Sequence, residues 1–286
     1  MSGMSDMSGF DLASMDILVV AQLAAALLGA GMVAGFLAGL LGVGGGIVVV
    51  PVLFHLFVVM GVSTALAMNL AVGTSLAIII PTAISSTRAH HRHGEVNMAL
   101  LRRWGGPVFL GAVSGVVVAG AVGGTVLTAV FACGALMIAL YLGFSHEDAA
   151  PGRTLPGEPL RALLGAAIGC LSAMMGIGGG SLSVPVMRLA GFSIHRAVAT
   201  AAALGLVIAL PGAAGVALAG LDTPGLPPLS LGYVNLLGVA LIFPVTVCMA
   251  PLGARTAHRL ERGHLQKGFA LFLAVAAIFM LFRAFD

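Results

Sequence analysis

One stretch of the chain occurs twice. Gly35-Phe-Leu-Ala-Gly-Leu-Leu-Gly-Val-Gly-Gly-Gly-Ile-Val-Val-Val-Pro51 is matched by Gly169-Cys-Leu-Ser-Ala-Met-Met-Gly-Ile-Gly-Gly-Gly-Ser-Leu-Ser-Val-Pro185, at a constant offset of 134 residues. Each copy is an apolar run, a G-x-G-G-G interruption, and a short second run with a proline seven residues past the first of three consecutive glycines. Three glycines in a row weaken a helix by roughly 1 kcal/mol each against alanine. At membrane depth such an interruption survives only where it is buried in protein or lines a watery cavity. Matched interruptions in two halves of a chain point to a transporter's binding site.

The composition puts these runs in a membrane. Of 286 residues, 59% are hydrophobic and 8% charged, and the mean hydropathy is +1.12. A soluble domain carries about 25% charged residues. The expected fold is therefore an all-α polytopic membrane protein with the lipid bilayer as its surroundings. Long continuous apolar runs argue against a barrel. The net charge of +3 is too small and too dispersed to mark a nucleic-acid partner, and none is expected. Cys133, Cys170 and Cys248 stand singly in apolar runs and read as small packing residues. Pairs such as Gly111-x-x-x-Gly115 suit close helix packing.

Taken in order, residues 1–16 form a polar tail with Asp6, Asp11 and Asp16 and no basic residue, so no cleaved signal peptide is expected. Residues 17–41 are long enough to span, and with the run from Ile47 to Met60 they read as a broken hairpin. A run at 64–87 leads to a basic loop, 88–103. Helices follow at about 104–121 and 125–144, separated by a turn at Gly123-Gly124. The polar stretch 145–159 is read as a linker. The second half repeats the plan: a broken hairpin at 160–175 and 181–192, a helix from His195 to Gly220, a Pro/Gly-rich loop at 221–232, a helix at 233–252, a basic loop at 253–267 and a last helix to Phe285.

Charge sets the orientation. With loops 88–103 and 253–267 in the cytoplasm, twelve of the thirteen Lys and Arg residues fall inside, leaving only Arg283. Both termini then lie outside. Each half has five segments, an odd number, so the copies are inverted: 17–144 as first repeat, 145–159 as cytoplasmic linker, 160–286 as second repeat, and 1–16 as an extracytoplasmic tail. Ala71-Val-Gly-Thr-Ser75 pairs with Ala197-Val-Ala-Thr-Ala201 at an offset of 126, and Gly94-Glu-Val-Asn97 echoes Gly232-Tyr-Val-Asn235.

The chemistry expected at the two interruptions is anion binding. A helix restarting at about Ile47 or Ser181 has amide groups with no acceptor in its own helix, at the positive end of its dipole. An anion supplies that acceptor, and glycine lets it approach the backbone. Thr74, Ser75 and Thr200 are candidate hydroxyl donors, against the alternative of bonding within or between helices. Ser181 and Ser183 stand where the first copy has Ile47 and Val49, so the second side is the wetter one. Asn69 is a further polar candidate. No Lys-Ser/Thr follows the glycines, which excludes a P-loop. His90, His91 and His93 lie in a basic loop without the carboxylate or cysteine partners of a metal site. No Asp or Glu lies in a membrane run, and His55 is the one titratable group in an apolar segment. Coupling through a carboxylate is not expected, and no cofactor or metal is implied. Either coupling is weak, or it runs through a histidine, or transport follows the anion's own gradient and the membrane potential, from which an anion leaving a negative interior gains about 2.3 kcal/mol per charge per 100 mV.

The pattern L-G-V-G-G-G-x-x-x-V-P, its second copy, and A-V-x-T-S/A in each half resemble the TauE/SafE family of sulfite exporters and related permeases, over about residues 17–285. The resemblance implies a secondary transporter of small sulfur-containing anions such as sulfite or organosulfonates, not an enzyme. On matching positions it implies Gly44, Gly45, Gly46, Thr74, Ser75, Gly178, Gly179, Gly180 and Thr200 as site-lining, with Ser181 added from the reading above. Ala201 stands where serine is more usual. The alternatives are an anion channel, whose flux would not saturate, and an intramembrane serine hydrolase using Ser181 and His195. A second copy of the chain is a candidate partner.

The orientation makes a prediction of its own. In a background lacking the native cysteines, a cysteine at Asp222 is expected to react with an impermeant maleimide applied to intact cells. One at His91 is expected to react only after permeabilisation.

Overall fold

The structure, a computed structural model, describes residues 17–41, 45–144, 157–257 and 262–285. Its regular secondary structure among these is helical but for one two-residue strand pairing. In chain order come α1 (Ile17–Leu41), α2 (Gly46–Val59), α3 (Thr64–Arg92), α4 (Met98–Phe144), α5 (Leu160–Met175), α6 (Gly180–Leu189) and α7 (Ile194–Ala219). Then follow β1 (Ser230–Leu231) and β2 (Val234–Asn235), paired antiparallel, and α8 (Leu236–Ala257) and α9 (Arg262–Phe285). The tail before residue 17 and the linker positions 145–156 lie outside the described residues.

The helix starts follow from hydropathy and glycine placement. The first run begins at Ile17 and the restarts fall at Gly46 and Gly180. Helix α4 is 47 residues long, which as one rod would reach about 70 Å, more than twice the bilayer core. Gly123, at φ 74° and ψ 166°, breaks it at the expected turn. That backbone conformation is open to glycine and closed to a bulky residue.

The basic loop at 88–103 needs correcting. α3 runs on to Arg92 and α4 begins at Met98, so only residues 93–97 lie between helices. Hydropathy marks where lipid ends, not where a helix ends, and His and Arg in a last turn suit its negative end. Gly94, at φ 69°, stops α3, and the Asn97 side-chain oxygen accepts the Leu100 N–H at 3.0 Å as a cap for α4. His90 and Glu95 close the turn at 3.1 Å. Likewise α8 runs to Ala257 and α9 begins at Arg262, both within the expected 253–267 loop, of which 258–261 lie outside the described residues, and the 221–232 loop ends in the β1–β2 pairing.

Two close helix pairs tie the halves together. On α1, a Cβ at Gly35 would lie 2.6 Å from the Thr246 carbonyl oxygen of α8, and one at Gly31 would lie 3.1 Å from that of Ile242. On α5, a Cβ at Gly169 would collide with the Val108 carbonyl of α4, and Gly165 lies against Pro107 and Trp104. From the α4 side, Gly111 and Gly115 press on the backbone of Ala166 and Cys170. Without a hydrophobic force between helices in lipid, such backbone approach is what holds them. Trp104, the sole tryptophan, is fully buried in this seam and its indole N–H has no hydrogen-bond partner.

The seam generates a contrast. Gly169→Ala is expected to destabilise the detergent-solubilised protein by about 1–3 kcal/mol, the usual cost of overpacking. Gly120→Ala, on α4 with open space at its Cβ, is expected to be neutral or to gain up to about 1 kcal/mol from helix propensity. Thermal unfolding followed by size-exclusion chromatography checks both.

Candidate functional site

The two interruptions come together through α3 and α5. Gly176 ends α5 in the left-handed region, at φ 65°. A Cβ at Gly46, the first residue of α2, would lie 2.7 Å from the Gly176 carbonyl oxygen and 3.0 Å from Ser75 Oγ. Ser75 Oγ donates to that same carbonyl at 2.7 Å. Gly176 in turn lies on Val72 of α3 and Val50 of α2. The start of the first short helix and the end of the helix before the second therefore meet at one buried point. Neither Gly45 nor Gly179, the residues preceding α2 and α6, supplies a side-chain cap.

The second break rests on α7. Gly178, Gly179 and Gly180 are buried. A Cβ at Gly179 would lie 2.9 Å from the Gly205 amide and 3.1 Å from the Ala201 carbonyl. Ala201 stands on α7 where Ser75 stands on α3, so the hydroxyl that ties the first break has no counterpart at the second. The glycines thus have a packing duty at both breaks. Gly45 lies against Ala34, while Gly44 falls outside the described residues.

Thr74 and Thr200 are both fully buried and make matched hydrogen bonds. Asn235 N–H donates to Thr74 Oγ1 at 2.9 Å, and Asn97 N–H donates to Thr200 Oγ1 at 3.0 Å. Each bond fastens a threonine within a helix of one half to the residue that opens a helix of the other. Thr200 also donates to the Arg196 carbonyl at 2.8 Å, so both its bonding directions are taken by protein. Asn235 caps α8 as Asn97 caps α4, its side-chain oxygen accepting the Gly238 N–H at 2.8 Å. The echo of Asn97 and Asn235 was visible in the sequence as a repeat; their joining role was not, because the partners lie 103 and 161 residues away.

The remaining candidates are spread along the short helices. Ser181 is buried in the first turn of α6. Ser183, in the same turn, and Ser172, one turn before Gly176 on α5, are each 0% exposed and their hydroxyls have no partner. Ser172 carries no spacing signal and escapes a sequence reading. Asn69 is half-buried on α3. His55 lies nine residues into α2, about 14 Å from its start, with its ring edge-on to Phe279 of α9 at 4.7 Å. It stands apart from the breaks.

Among the described residues, four helices are long and apolar enough to cross a bilayer: 64–92, 98–144, 194–219 and 236–253. With the shorter apolar helices packed among them, they define a multi-pass α-helical membrane protein. Comparison with known proteins gives the class its name. The chain matches the sulfite exporter TauE/SafE family over residues 27–280 and belongs to it. It is 34% identical over 255 residues to a probable membrane transporter protein of Haemophilus influenzae, covering 88% of this chain and 96% of that one. It is 29% identical over 260 residues to a probable membrane transporter protein of Methanocaldococcus jannaschii, covering 88% and 92%. No solved structure is a significant match. The protein is a membrane transporter.

The matched threonines are open to test. Thr74→Val and Thr200→Val each leave a backbone N–H without its acceptor and are expected to cost about 1–3 kcal/mol of stability. Serine at either position restores most of the loss. Thermal unfolding of the four variants decides this.

Proposed function

We propose that the protein is a secondary transporter that exports a small sulfur-containing anion, such as sulfite or an organosulfonate, by alternating access around a central site between two inverted repeats. The observation that carries this reading is the meeting of Gly46, Ser75 and Gly176 at one buried point. It sets the edge of the second interruption against the edge of the first inside the protein, which supports a ligand held between the uncapped helix starts.

The reciprocal contacts support the repeat. Gly31 and Gly35 of α1 lie on Ile242 and Thr246 of α8, while Gly165 and Gly169 of α5 lie on Trp104 and Val108 of α4. The glycines are related by the offset of 134. Trp104 and Ile242, like Val108 and Thr246, are related by the offset of Asn97 and Asn235. The Thr74–Asn235 and Thr200–Asn97 bonds swap halves in the same way. A two-fold relation gives such exchange, and the charge distribution gives its inverted sense.

Within this reading, backbone amides of the two glycine stretches, Gly44, Gly45 and Gly46 of the first and Gly178, Gly179, Gly180 and Ser181 of the second, hold the anion. Ser75 fixes the geometry between the breaks, and Thr74 and Thr200 act as joints that keep α3 and α7 in register with the facing half. No protein carboxylate takes part, and the membrane potential favours outward movement of the anion. The setting is the cell inner membrane, with both termini outside.

Proteoliposomes test this directly. Labelled sulfite or a sulfonate is expected to move saturably and to show counterflow, and Gly45→Val or Gly179→Val is expected to lose most of the flux while the protein still inserts. Unsaturable flux without counterflow would make the protein a channel. Full flux in both variants would remove the interruptions from the mechanism.

A further inference from the structure

The second interruption carries something the first lacks. Ser172 and Ser183 bracket it, both 0% exposed, both with hydroxyls that have no protein partner. The matched positions, 134 residues earlier, are Ala38 and Val49. A serine inside a helix ordinarily satisfies itself on a carbonyl one turn back. Ser183 does not, although its amide bonds the Gly179 carbonyl at 2.9 Å. Ser183 stands in the first turn of α6, whose start at Gly179–Gly180 has no side-chain cap, and side chains lean toward the start of their helix. A buried hydroxyl without a partner is a standing cost to the fold, which a ligand bound at the interruption removes.

The walls of the two interruptions also differ in kind. The first turn of α2 is Ile47, Val48, Val49 and Val50, all at 1% exposure or less. The first turn of α6 interleaves Ser181 and Ser183 with Leu182 and Val184. Aliphatic side chains offer nothing to an oxyanion's oxygens and leave them unpaired. Hydroxyls donate to them, in the stronger charge-assisted kind of bond.

We propose that Ser183, assisted by Ser172, is the specificity-determining donor of the site: it takes the oxygens of the bound anion at the start of α6 and turns any substituent toward the aliphatic wall of α2. The inference rests on the transport reading and adds to it a fixed orientation. One consequence concerns ligand shape. A singly substituted anion with an apolar end, R–SO3−, satisfies both walls, whereas sulfate, polar on all sides, does not.

The test uses purified full-length protein in detergent, with thermal unfolding read alone and against ethanesulfonate, sulfite and sulfate. The variants are Ser183→Ala and Ser172→Ala. Without any anion, Ser183→Ala is expected to melt at or close to the wild-type temperature, because it removes an unpartnered hydroxyl and adds no bulk at a fully buried position. Its affinity for ethanesulfonate is expected to fall about tenfold, the loss of one hydrogen bond to a charged group. Wild type is expected to bind ethanesulfonate more tightly than sulfate. Melting of anion-free Ser183→Ala several degrees below wild type would assign the hydroxyl a structural partner and overturn the proposal. So would unchanged ethanesulfonate affinity in both variants, or sulfate binding as tight as ethanesulfonate in wild type. Wild type that binds neither sulfite nor ethanesulfonate would overturn the transport reading as well, whereas wild-type binding with indifferent variants overturns this inference alone.

Discussion

An amide hydrogen at membrane depth has no water to turn to. That constraint shapes this molecule more than any other. A helix that stops at Leu41 or Met175 and restarts at Gly46 or Gly180 bares backbone groups twice, and each must be met by protein or by something the protein binds. The chain meets part of the debt internally. Ser75 reaches across from α3 to the Gly176 carbonyl, and Gly176 closes α5 on its own carbonyls. The starts of α2 and α6, without side-chain caps, are the part on which the proposed function rests.

The rest of the architecture brings those ends together and holds them. The long helices pack backbone to backbone through glycine on both seams, α1 on α8 and α5 on α4. The threonine–asparagine bonds pin α3 and α7 to the helix openings of the opposite half. Glycine at these places has two distinct duties. At Gly169 it admits another backbone, and at Gly123 it permits a conformation. Only a structure separates the two, because the letter is the same.

Much of the fold is legible in the sequence because lipid reads hydropathy so literally. The start at Ile17, the restarts at Gly46 and Gly180 and the break at Gly123 all fall where apolar runs and glycines put them. Helix ends beyond the lipid were less legible: α3 runs on through Arg88 to Arg92, since a basic last turn ends the apolar run without ending the helix. At the candidate site, the glycine breaks and Ser181 stand out by duplication and by contrast with Ile47. The engagement of Thr200 by two protein partners, and the lack of any for Ser172 and Ser183, do not. The Thr200 bond to Arg196 is the within-helix kind, one turn back, but Asn97 lies 103 residues away, and no local pattern encodes that contact or the isolation of Ser172 and Ser183.

The placement of Trp104 has a practical consequence. The chain holds a single indole, shut away from solvent in the seam between α4 and α5, with its N–H unbonded. Its fluorescence therefore has one origin and reports on one place. Any sliding of α5 along α4 that admits water or a polar neighbour would redden and dim the emission. The molecule carries its own optical gauge of relative movement between its halves, with no dye attached.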